Sequence, residues 1–171
     1  MLRNTQWIKG VEFYDPYENM DHKIYDRIEE ILKIILPNSF KEFYDQHIPI
    51  IPFEYKYYIT EVVFEDSNSI VRTSQFKDLY LGEIYDLNKI LDRLENDNAE
   101  INPFIVLKMI PIAEGATYHG GILMDESSLF YYTMDFHEFM YQNDKSKFII
   151  ACDINELVSK FMIIPFGELN V

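Results

Sequence analysis

Apolar residues Ile24, Ile28, Ile31, Leu32 and Ile35 recur at i, i+4, i+7, i+8 and i+11, a spacing that lines one face of an α-helix. Arg27, Glu30 and Lys33 fall on the opposite side. The pattern predicts an amphipathic helix with Asp21 as its N-cap. Pro37 is expected to end it, because proline lacks an amide hydrogen and crowds the preceding turn, and it suits the start of another helix. Phe40, Phe43 and Tyr44 then share a face up to His47. The segment from Ile28 to His47, IEEILKIILPNSFKEFYDQH, thus reads as two helices set at an angle by Leu36-Pro37.

The periodicity changes after Pro49 and Pro52. FEYKYYITEVVF (53–64) is rich in aromatic and β-branched residues and predicts a strand; EDSNS (65–69) is a turn, and IVRTSQF returns as a second strand. Leu79–Ile84, containing Gly82, predicts a further short strand. Asp86 caps a helix whose stripe is Leu87, Ile90, Leu91 and Leu94. ENDNAEINP (95–103) is a polar loop. MIPIAEGA, YHGGILMDE and LFYYTMD follow as strands separated by Gly115 and an Asp125–Ser128 turn. EFMYQND has no clear period, and KFIIACD is a strand or its lead-in. Asp153 and Glu156 form a D-x-x-E capping box for a closing helix with Ile154, Leu157, Val158 and Phe161 inward, ended by Pro165 and Gly167.

Strands joined by turns too short for crossover helices define an α+β chain. The expected architecture is a single domain with a central, mainly antiparallel sheet of about six strands flanked by helices. Residues 1–20 are expected to form an N-terminal arm laid on a domain spanning 21–171.

Composition narrows the function classes. The 171 residues carry 13 Phe and 13 Tyr, enough apolar bulk for a real core. The formal net charge is −14, a sign that repels phosphate backbones and argues against nucleic-acid binding. It would attract a basic protein partner; solubility alone is the competing explanation. Cys152, the single cysteine, reads as a small hydrophobe. No apolar run is long enough for a bilayer and no leader-like segment opens the chain, so the expected location is cytoplasmic, with no membrane partner.

Catalytic chemistry finds little footing. His22, His47, His119 and His137 lack metal-ligand spacing, with His119 and His137 the only plausible couple, and they read as structural or surface residues. No nucleophile elbow is present, and Gly115–Gly121 lacks the residues of a phosphate cradle, which leaves backbone freedom at a turn or bulge. The expectation is a protein that is no enzyme and needs no metal or cofactor.

Charge is distributed unevenly. From Asp78 to Glu138 there are twelve acidic residues against Lys89, Arg93 and Lys108. Tyr80, Tyr85, Tyr118, Tyr131 and Tyr132 lie in the same stretch. Acids beside exposed aromatics would suit a protein interface, whereas buried tyrosines with solvated acids would be ordinary scaffold. The candidate partner-binding residues are Glu83, Asp86, Tyr118, Asp125, Glu126 and Asp135.

These elements together resemble the SUKH superfamily, of the Smi/Knr type. The likeness starts with Ile28, Glu29 and Leu32, then Leu36, Pro37, Phe40, Lys41, Phe43 and Tyr44. GEIYDLNKI, MIPIAEGATYHGGILMDESSLFYYT and IACDINELVSKF continue it in order, so that it covers 21–163. HIPIIPF replaces the family's usual glycine turn, and Leu157 and Val158 stand where an aromatic is common. The resemblance implies an α+β domain with a mainly antiparallel sheet. It also implies a protein-binding role: in bacteria an immunity protein that neutralises a cognate toxin, often a nuclease, and in fungi a regulator of cell-wall assembly. It implies no catalytic residues.

Overall fold

The structure, a computed structural model, describes the backbone of residues 12–14, 23–46, 48–50, 55–65, 71–96, 100–115, 119–159 and 162–165. Side chains are described over 23–45, 84–96, 100–115 and 119–157. Asp21, His22, His47 and the turn at 66–69 lie outside the described residues.

The first helix, α1 (Lys23–Leu32), buries Tyr25, Ile28 and Leu32. Burying a side chain such as Ile28 contributes about 1.5–3 kcal/mol, and the helix is held by this face rather than by its length. Its end differs from the expected one. Lys33 adopts φ 55°, a left-handed terminus four residues ahead of Pro37. That reversal takes Ile35 off the apolar stripe, leaving it 81% exposed, while Ile34 and Leu36 turn inward. Tyr25, absent from the expected stripe, takes its place in the core. Helix α2 (Asn38–Gln46) starts directly after Pro37, whose carbonyl accepts from the N–H groups of Phe40 and Lys41. Phe40, Phe43 and Tyr44 are all buried, as their shared face requires.

Of the N-terminal arm, strand β1 (Glu12–Tyr14) is described; it pairs antiparallel with β2 (Ile48–Ile50), with Phe13 opposite Pro49. The main sheet is antiparallel at every pairing. Its members are β3 (Tyr55–Glu65), β4 (Val71–Ile84), β5 (Ile110–Gly115), β6 (Gly121–Met124), β7 (Phe130–Thr133), β8 (Ile149–Ala151) and β9 (Met162–Pro165). The order is β8-β7-β6-β5-β4-β3-β9, seven strands among the described residues against the expected six or so. The segment KFIIACD, a strand or its lead-in by sequence, supplies β8, and two further differences offset each other. The residues read as two strands on either side of Lys77 form one continuous β4, with register shifts opposite Glu61–Val63 and between Leu81 and Ile84 absorbing the irregularity. The closing helix α6 spans only Ile154–Ser159, and a strand, β9, carries the residues up to Pro165 that were assigned to that helix. Val158 and Phe161, expected on its inner side, have no described side chains.

Helix α3 (Leu87–Glu95) buries Leu87, Ile90 and Leu94 of its expected stripe, with Leu91 half-buried beside them. Two short helices were not anticipated. Asn102 caps α4 (Pro103–Leu107) with Pro103 at its start, inside and after the expected loop, and Asp135 caps α5 (Phe136–Met140) in the segment without clear period. A 3-10 turn at Ser146–Phe148 leads into β8. Asp153 accepts from the Glu156 N–H at 2.8 Å, and the Glu156 carboxylate accepts from the Cys152 N–H, so the capping box reaches one residue further back.

Strands β6 and β7 are buried at every residue and β5 at all but Glu114. An antiparallel strand with one wet face would alternate, so both faces are covered here. Helix α3 packs on β5 and α6 on β8, while β3 comes up to β8 and β4 to the 3-10 turn. Strands far apart in the order meet because the sheet curls strongly on itself, as twist accumulated over seven strands allows.

Candidate functional site

The antiparallel register sorts the candidate residues between two ends of the sheet. Ile110 lies opposite Met124, Met124 opposite Phe130, and Phe130 opposite Ala151. The exit of β4 reaches the same end, where the Tyr85 N–H donates to the Ile112 carbonyl. Asp86 and the Asp125–Glu126 turn therefore flank β5 at one end, with Asp153 behind β8. Thr133 lies opposite Gly121 and Gly121 opposite Glu114, which carries Asp135 to the other end. Among the four described candidates, Asp135 stands at the opposite end from Asp86, Asp125 and Glu126. Glu83 and Tyr118 lie outside the described side chains.

Three of these carboxylates have local work. Asp86 Oδ1 accepts from the Lys89 N–H at 2.7 Å, capping α3. Asp135 Oδ1 accepts from the N–H groups of His137 and Glu138 at 2.8 and 3.0 Å. Asp125 Oδ1 accepts from the N–H groups of Ser127 and Leu129, at 2.9 and 3.0 Å, while its Oδ2 accepts from the Tyr131 hydroxyl at 2.8 Å. Ser128 at φ 66° completes that turn. Glu126, beside it, is exposed.

The expected exposed aromatics require a correction. Tyr131 and Tyr132 are buried because β7 is covered on both faces and leaves no outward side for them, and Tyr85, just past the end of β4, is buried as well. Tyr80 lies outside the described side chains. Burial first, and the neighbouring Asp125 second, raise the Tyr131 hydroxyl well above the ordinary phenol range. Burial does the same for Tyr44 and, with Asp45 hydrogen-bonded to it, for Tyr25. These phenols are hydrogen-bond donors at physiological pH: Tyr44 to the Tyr85 carbonyl at 2.9 Å, Tyr25 to Asp45 at 2.7 Å.

His119 and His137 are both exposed and close in the chain path, since the Phe136 N–H donates to the His119 carbonyl at 2.8 Å. Among the described residues no group of three or more His, Cys, Asp or Glu is placed to hold a metal ion. The glycines between β5 and β6 form a tight backbone contact: Gly115 N–H donates to the Gly120 carbonyl at 2.8 Å. A Cβ on Gly121, at φ 154°, would meet the Ala113 carbonyl, and one on Gly120 would meet the carbonyls of Thr133 and Met134. At Gly120 and Gly121 the close-packed strand junction leaves no room for a side chain.

Exposed apolar side chains are the feature sequence reading missed. Ile101, Ile105, Val106, Met134 and Tyr141 all stand on α4, α5 and their flanks. The signal was present in INPFIVLKM, where Asn-Pro opens a helix too short to have a visible period.

Fold and site together define an α+β domain with a curled antiparallel sheet, acidic at its turns and caps. Among the described residues no helix is long and apolar enough to cross a membrane. The chain matches no family model, no curated protein and no solved structure.

Proposed function

We propose that the chain is a cytoplasmic, non-enzymatic immunity protein of the SUKH type that binds and neutralises a basic toxin domain, of nuclease type, through its acidic surface. The observation that carries this reading is the charge of residues 78–138, twelve acids to three bases, in which none of the described carboxylates is buried. A nuclease face is basic because it holds phosphates, and an acidic protein can occupy it by mimicry. The ordered motifs from Ile28 to Phe161 support the family, and the antiparallel α+β sheet agrees with what that family would require.

The test is co-purification with the product of the toxin-like gene encoded beside it. A 1:1 complex is expected, with an association rate that falls steeply as salt is added. A rate indifferent to salt would remove the electrostatic part, and absence of a complex would remove the toxin partner. A general interaction module of the cell-wall-regulator type is the alternative reading, favoured if no toxin-like gene adjoins.

A further inference from the structure

We draw no further inference here: the strongest candidate, the apolar patch of Ile101, Ile105, Val106, Met134 and Tyr141 on α4, α5 and their flanks, is framed by acids that Arg93 over Phe104 and Lys145 over Phe139 balance, so that nothing in the structure shows what covers it.

Discussion

One carboxylate oxygen of Glu29 accepts from the Lys41 ammonium at 2.8 Å and from the Leu36 N–H at 2.9 Å. The first bond ties α1 to α2, and the second fixes the chain between them just before Pro37. Glu29→Ala removes both and should cost about 1–2 kcal/mol, since charge-assisted bonds are involved but the pair is partly exposed and screened. Glu29→Gln keeps an acceptor for Leu36 and should lose less. Urea midpoints at neutral pH check the ranking; equal losses would place the value of the contact in the ion pair alone.

The same carboxylate predicts an acid response. The bond from Lys41, aided by the Leu36 N–H, lowers its pKa below the ordinary value, which is about 4.3 for glutamate. A depressed carboxyl stabilises the fold fully above the unfolded value, and the contribution is lost as pH falls through the folded one. Stability should drop below roughly pH 4.3, and the drop should be shallower in Glu29→Gln. Identical pH profiles for the two proteins would contradict it.

Tyr44→Phe removes a buried hydroxyl from the Tyr85 carbonyl and should cost about 1–2 kcal/mol, with little change in volume. Because burial raises this phenol above its ordinary pKa, its contribution is present below about pH 10 and is lost as pH rises beyond that. Alkaline unfolding followed by fluorescence should therefore be later in pH for a chain lacking this phenol, relative to its own neutral stability.

Gly121→Ala places a methyl group against the Ala113 carbonyl. Neither strand can give way without breaking the β5–β6 pairing, so a loss of on the order of 2–4 kcal/mol is expected. Soluble yield and thermal unfolding measure it. A variant as stable as the parent would show that the junction can open.

Asp125→Ala and Glu126→Gln separate scaffold from charge. The first strips a turn of three acceptor contacts and should lower stability by about 1–3 kcal/mol. The second leaves stability within about 0.5 kcal/mol and should slow association with a basic partner. Association that is unchanged by Glu126→Gln would remove this turn from the encounter surface.

Periodic stretches were legible in the sequence where one face of the helix packs on the core. Leu87, Ile90 and Leu94 did in the structure what their spacing implied. Where a backbone reversal intervenes, spacing misleads: the left-handed Lys33 turned Ile35 out of its stripe. Strand alternation failed for a different reason. Tyr131 and Tyr132 are adjacent in β7, so one of them should face water if the sheet has a bare side; both are buried because it has none. Asp86 and Asp153 were readable as caps, whereas Asp135 was readable only as charge, because the five-residue helix it caps is too short to announce itself.

Six of the seven sheet strands lie in the order in which the chain makes them, reversed along the sheet, and only β9 crosses over to pair with β3. The meander from β3 to β8 can therefore assemble by neighbouring hairpins, while the outer edge of β3 stays open until residues 162–165 arrive. For that interval Tyr55–Tyr58, the part of β3 that β9 pairs, presents unpaired backbone groups on that edge, a template for pairing with another unfinished chain. The final strand acts as a guard on that part of the edge.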